Sequence, residues 1–163
     1  MSTVEPLWAY SEIPRAKWTR KVKRSAEAGA EFLLSHRLYK SHRTWRTVEL
    51  DGLNLTKPGN SLTDFHFPMY YFYDALHGMR VLCRLGYHDD ERMDDAVHLM
   101  LSKMTPDGRW FLDGDWVREM KDPKRKTLVT LEEIGEPSKW ITLNCYRVLS
   151  IRGDLEVPGE AAV

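Results

Sequence analysis

The segment PMYYFYDALHGMRVLCRLG, residues 68–86, constrains the fold more than any other part of the chain. It begins with a proline, which is well tolerated in the first turn of a helix, and ends with a glycine, which commonly follows a last turn. Between them, apolar side chains occur on every face of a helix, so such a helix must be buried on most sides. We therefore predict an inner helix over this segment, packed against other helices.

Three further segments have the narrower apolar stripe of helices that are buried on one side. They are residues 19–39, residues 89–104 (DDERMDDAVHLMLSKM) and residues 137–153 (PSKWITLNCYRVLSIRG). The second follows the inner helix after a short connection, which predicts an antiparallel helical hairpin. Two long connections, 40–67 and 107–136, separate the helices, and connections of that length often carry function.

The size of the chain predicts one helical domain. Its 163 residues are enough for a sizeable core, and we place that domain over 1–163, with a core of about 12–152 and a tail over 153–163. Cys83 and Cys145 lie far apart in apolar runs, as two buried thiols of a reducing compartment would. No stretch approaches the roughly 20 apolar residues of a membrane span, so we expect a cytoplasmic protein without one.

Overall charge gives no reason to expect a nucleic-acid partner. The chain has 24 Lys and Arg residues and 24 Asp and Glu residues. A weaker alternative comes from the basic residues between Arg20 and Arg46, with Trp18 and Trp45 available for stacking on bases. That alternative requires those charges to share one face, and we predict no nucleic-acid binding.

The order of these segments carries a family resemblance. The strings GAEFLLSHRLYKSHR, FHFPMYYFYDALHGMRVLCRLGY, DERMDDAVHLMLSKMTPDGRW and GEPSKWITLNCYRVL follow one another over most of the chain. Together they resemble the C-terminal half of prokaryotic prenyltransferase-like and squalene-cyclase-like proteins, of the terpenoid cyclase and protein prenyltransferase superfamily. In that superfamily, inner and outer helices alternate in an α/α toroid, and each pair ends in a turn of the type Gln-x-x-x-Gly-x-Trp.

The resemblance implies an all-α fold of helical hairpins of the α/α-toroid type. In this chain the turn is formed by Asp107, Gly108 and Trp110, whereas Lys103 stands near the usual Gln. Toroids of that superfamily close with many more helices than this sequence predicts, so we expect an incomplete toroid of about four to six helices, whose hairpins need neighbours to bury both faces. We therefore expect a homo-oligomer, or a partner that supplies the missing half of the toroid.

Asp74 is the strongest candidate for a catalytic residue, because it lies among tyrosines that could stabilise a cation. The alternative is that Asp74 pairs with Arg43 or Arg80 and that the tyrosines fill the core. The residues predicted to bind a ligand are Tyr70, Tyr73, His77, Trp110, Trp140 and Arg43.

No metal site or cofactor is predicted, because the chain has neither an Asp-x-Asp-Asp acid motif nor a zinc triad. Asp113 and Asp115 are interpreted as loop residues, with a carboxylate role kept as a minority hypothesis.

Two functions follow from these expectations. The first is a terpenoid-cyclase-like or prenyltransferase-like domain that binds a hydrophobic or isoprenoid-like ligand in an aromatic cavity, with no activity assigned. The second is a non-enzymatic helical module for protein interaction or oligomerisation, in which the same apolar surface packs against another subunit. A deep pocket favours the first function, and a filled pocket with a large apolar interface favours the second.

Overall fold

The protein is mainly helical, which confirms the helical class predicted from the sequence. A computed structural model describes residues 3–48, 61–69, 73–114 and 131–155. The described helices are α1 (Val4–Ser11), α2 (Arg20–Ser35), α3 (Ala75–Arg84), α4 (Asp94–Ser102) and α5 (Lys139–Arg152). Two short strands, β1 (Trp110–Phe111) and β2 (Pro137–Ser138), form an antiparallel ribbon.

The inner helix begins later than the sequence predicted. Instead of starting at Pro68, α3 starts at Ala75, after Asp74, whose carboxylate accepts a hydrogen bond from the backbone N–H of His77 at 2.8 Å. An aspartate in this position provides the acceptor that a first turn lacks, so it fixes the start of the helix. The inner position is confirmed, because nearly every residue of α3 is buried, and among the described helices its most extensive contact is with α5.

Helix α1 was not predicted from the sequence. It is only eight residues long, contains Pro6 in its first turn, and has a weak apolar periodicity, so no stripe marks it. Val4 and Leu7 are nevertheless buried in the main core. The helix packs against both α2 and α3.

The flanking helices have the half-buried character that their stripes predicted. In α4, Ala96, Val97 and Met100 face the core, whereas its first turn is acidic. Helix α5 starts at the N-cap Ser138, whose hydroxyl accepts from the backbone N–H of Ile141, and ends at Gly153 with φ of 77°. Both termini agree with the cap and stop signals in the sequence.

The turn after α4 has the structure that its sequence predicted. Gly108 has φ of 76°, a left-handed backbone conformation that strains other residues, so the turn favours glycine. The indole of Trp110 folds back under the hairpin and is fully buried, with Nε1 donating to the Met100 carbonyl at 2.7 Å. This turn leads directly into strand β1.

The ribbon holds both ends of a long segment. Strand β1 pairs with β2, and beside it the backbone N–H of Leu112 donates to the carbonyl of Glu136 at 3.0 Å. Gly135 donates its N–H to the carbonyl of Leu112 at 2.8 Å. Ser138 ends β2 and also caps α5, so ribbon and helix are joined without a linker.

Candidate functional site

Asp74 is buried and bonded to the backbone. Its side chain is 1% exposed, and Oδ1 accepts from the His77 N–H while Oδ2 accepts from the His66 N–H at 2.9 Å. The Nδ1 atom of the His66 ring lies 3.4 Å from Oδ2. The carboxylate therefore has backbone donors and a histidine ring around it, instead of the Arg43 or Arg80 partner considered from the sequence. These hydrogen bonds give the buried Asp74 carboxylate a structural role, because they hold the backbone at His66 and at the start of α3.

Burial shifts the pKa of His77, the second histidine beside Asp74. It is buried, its ring packs edge-on against Trp8 with 4.8 Å between ring centroids, and neither ring nitrogen is hydrogen-bonded to a residue that the structure describes. Its Nε2 lies 3.9 Å from a carboxylate oxygen of Glu5. Burial lowers the pKa of His77 from 6.5 to about 4, although the charge of Asp74 opposes this shift. His77 is therefore neutral at physiological pH.

Acidification is expected to destabilise the protein through His77. A pKa that is depressed on folding means that the unfolded state binds the proton first, so stability is complete above pH 6.5 and falls as pH approaches 4. Between about pH 7.5 and about pH 5, we expect the free energy of unfolding to fall by about 2 kcal/mol from this group. Urea unfolding of the wild type and of His77→Phe, compared at both pH values, measures this term. Equal pH dependence in the two proteins would contradict it.

The other residues predicted to bind a ligand do not form one cluster. Tyr73 is buried and its hydroxyl donates to the Leu38 carbonyl at 2.8 Å, and burial raises the pKa of that hydroxyl. Trp110 is fully buried beneath the turn. Trp140 is partly exposed and stacks on Phe67 with ring centroids 4.8 Å apart. The two remaining positions are Arg43, which is exposed, and Tyr70, which lies outside the described residues.

Asp113 has a structural contact that its loop position did not reveal. Its carboxylate accepts from the Phe65 N–H and from the Lys103 ammonium, each at 2.7 Å. Lys103, the departure from the usual Gln of the repeat, thus joins the hairpin to the preceding loop. Asp115, its predicted companion, lies outside the described residues.

An open cavity of about 550 Å³ lies beside the C-terminal end of α2. We call it the α2 cavity. Its size falls within the range of small-molecule sites, about 300 to 1,000 Å³. The apolar residues that line it are Val4, Phe32, Leu33, Leu38, Val48, Leu62 and Tyr73, and the polar ones are Thr3, His36, Ser41, His42, Thr44, Arg46 and Thr47.

Two histidines contact each other in the polar part of the α2 cavity. His36 Nδ1 lies 2.8 Å from the Phe32 carbonyl, which can only accept, so this nitrogen carries a proton. In the neutral ring, His36 Nε2 then accepts from Nδ1 of His42, at 3.2 Å. The pair is therefore oriented by the end of α2.

The loop that forms one wall of the cavity is fixed by charge and by an unusual backbone. Arg37 and Lys40 both bind the Asp95 carboxylate of α4, at 3.0 and 2.7 Å. Arg37, Leu38 and Trp45 have φ of 42°, 68° and 57°, a conformation that costs free energy in residues other than glycine. Such strain is found most often at functional sites, where surrounding contacts maintain it.

Sequence reasoning did not assign the α2 cavity. Apart from Thr3, its polar residues belong to the short stretch from His36 to Thr47, which contributes two histidines, an arginine and three hydroxyl side chains to the lining. This concentration of polar side chains is the sequence feature that could have indicated the cavity. The apolar floor comes from α1, α2 and residues near 62 and 73, which are distant in sequence.

The described residues lack the features of a metal site and of a membrane-spanning helix. Within them, no three His, Cys, Asp or Glu side chains are grouped so as to hold a metal ion. No described helix has both the length and the apolar character needed to cross a bilayer. Cys83 and Cys145 are buried free thiols, as predicted, and burial raises the pKa of both.

The fold and these sites define a mainly helical protein with an amphipathic cavity. Comparison of the chain with family models, with curated proteins and with solved structures finds no match in any of the three. The resemblance to the α/α-toroid superfamily therefore stays a prediction.

Proposed function

We propose that this protein binds a small molecule with an apolar body and a polar end in the α2 cavity. The observation that carries the proposal is the division of that cavity into an apolar floor and a polar mouth. Binding is proposed here without a reaction. We keep the hydrophobic ligand expected from the sequence, but we propose that it binds in the α2 cavity and not beside Asp74 and Trp140.

The apolar floor can hold a hydrocarbon or ring. Leu33, Leu38, Leu62 and Tyr73 are all buried, and the Tyr73 hydroxyl is already bonded to the Leu38 carbonyl. Their apolar surfaces therefore offer contact without leaving a polar group unpaired. Transfer of apolar ligand surface from water to such a floor contributes roughly 25 cal/mol per Å².

The polar mouth can recognise the other end of the ligand. Arg46 offers guanidinium N–H donors, and Ser41 and Thr47 offer hydroxyl groups. The His36 and His42 rings lie beside them in fixed orientations. An acidic or hydroxyl end group, hydrogen-bonded there, would orient the apolar body toward the floor.

A tryptophan placed in the mouth is expected to block binding. We predict that Thr47→Trp weakens binding of the uncharged fluorescent probe N-phenyl-1-naphthylamine by about tenfold, because the indole occupies the lined space. Displacement of the probe by dodecanol and by dodecanoate then reports the preference for the end group. Fluorescence titration measures both constants.

The matched control is Ala28→Trp, at an exposed position of α2 that does not line the cavity. This variant should bind the probe like the wild type. Binding that is equal in Thr47→Trp and the wild type would place the probe elsewhere and refute the proposal.

A specific observation also favours the interaction module as a second candidate. Helix α5 leaves Trp140, Leu143, Tyr146 and Ile151 at least 37% exposed, and their spacing aligns them along one side of the helix. Pairing of this side with a second copy of the chain would bury it. Native mass compared between wild type and Leu143→Glu tests this candidate, since a monomer in both rules it out.

A further inference from the structure

Three arginines line a second cavity, between α3 and α5, of about 630 Å³. We call it the α3–α5 groove. Arg80 and Arg84 come from α3, and Arg147 comes from α5. The other described residues that line it are Leu143, Tyr146, Val148, Ser150, Ile151 and Leu155, and none of the described lining residues is acidic.

Only one of the three guanidinium groups has an acidic partner among the residues that the structure describes. Arg84 forms an ion pair with Glu12 at 2.8 Å, at the outer edge. Arg80 instead faces the ring of Trp8, with 6.0 Å from its guanidinium carbon to the ring centroid. Arg147 makes no ion pair with a described residue, although this chain has as many acidic as basic residues.

Arg80 is half-buried and lies near two other positive charges. Burial lowers the pKa of Arg80, and the charges of Arg147 and Arg84 lower it further, although the carboxylates of Asp74 and Glu12 oppose this shift. Charges of one sign at a surface with low-dielectric walls concentrate the field and attract counter-ions. A bound anion would relieve this repulsion, which is the physical reason to expect one here.

The geometry points to a ligand site: we propose that the α3–α5 groove binds a small molecule carrying a phosphate group and an apolar part. Guanidinium groups bind phosphate oxygens through paired N–H donors, and two or three of them match a doubly charged group. The Ser150 hydroxyl adds a further polar group. Leu143 and Ile151, both about 40% exposed, provide the contact for the apolar part.

This site is independent of the α2 cavity. The two sites share no lining residue. Arginines from both helices line the α3–α5 groove, whereas one arginine and two histidines line the α2 cavity. A failure of either proposal therefore leaves the other unaffected.

The test uses phenyl phosphate as the probe and isothermal titration calorimetry on the full chain at neutral pH. We expect Arg147→Met to weaken binding by about tenfold, because one charge-assisted contact is lost. Arg147 is exposed, so its replacement should not unfold the protein. Arg24→Met, an exposed arginine on α2 outside the groove, is the matched control and should bind like the wild type.

Two comparisons separate the phosphate and apolar contributions. Ile151→Ser should weaken phenyl phosphate binding about threefold and leave the binding of inorganic phosphate unchanged. Phenol, which has the ring without the charge, should not bind measurably. An equal loss in Arg24→Met and Arg147→Met would show nonspecific charge attraction and overturn the proposal, as would wild-type protein that does not bind phenyl phosphate.

Discussion

Replacing Trp110 with alanine is expected to lower the free energy of unfolding by about 4 kcal/mol. The indole is fully buried, its Nε1 donates to the Met100 carbonyl at 2.7 Å, and its ring lies edge-on to Tyr146 at 5.5 Å. Truncation therefore leaves a large cavity and removes one of the hydrogen bonds to the Met100 carbonyl, which keeps a longer one from the Lys103 N–H at 3.2 Å. Urea unfolding followed by far-UV circular dichroism measures the loss.

Two further variants identify the cause of that loss. Trp110→Phe keeps much of the apolar volume but removes the donor, so we expect roughly half the destabilisation. Trp140→Ala, the matched control, removes a partly exposed tryptophan and should cost about 1 kcal/mol. A similar loss in Trp110→Ala and Trp140→Ala would contradict the burial that the structure shows.

Asp74→Ala is expected to destabilise the protein by about 3 kcal/mol. The substitution removes the acceptor for two buried backbone N–H groups, those of His66 and His77, and the N-cap of α3 with them. Each buried donor without a partner costs about 1 to 3 kcal/mol, and loss of an N-cap costs about 1 kcal/mol. Thermal and urea unfolding measure the change.

The choice of variants at Asp74 separates capping from the second hydrogen bond. Asp74→Ser preserves a cap for the His77 N–H but does not reach the His66 N–H, so its loss should be intermediate. Thr19→Ala removes the exposed cap of α2, which serves only the Val22 N–H, and should cost about 1 kcal/mol. If Asp74→Ala cost no more than Thr19→Ala, the second contact would contribute nothing. Unchanged stability in Asp74→Ala would contradict the structural role of these hydrogen bonds.

The helices were largely predictable from local pattern. The stripes of α2 and α4, the cap and stop signals of α5 and the buried character of α3 are properties of neighbouring residues, and so is the turn at Gly108. The start of α3 was mistaken because the proline signal at Pro68 competed with the cap signal at Asp74, and the cap determined the start. Helix α1 was missed because eight residues give too short a window for periodicity.

The sites were less predictable than the helices, because they depend on which distant residues meet. Val4, Leu33 and Leu62 share one cavity although they come from three different parts of the chain. Likewise, the groove brings Arg80 near Arg147, which no spacing within α3 or α5 can reveal. Sequence pattern identified Asp74 as unusual, but its backbone partners explain it without catalysis.

The ribbon has a consequence for how α5 begins. Backbone hydrogen bonds from Leu112 to Glu136 and from Gly135 to Leu112 hold residues 110–112 beside residues 135–138, and Ser138 of β2 is also the N-cap of α5. The turn after α4 and the first turn of α5 therefore depend on one set of backbone hydrogen bonds. A substitution that breaks the ribbon is expected to weaken both the cap of α5 and the packing of Trp110, although the two lie far apart in the sequence.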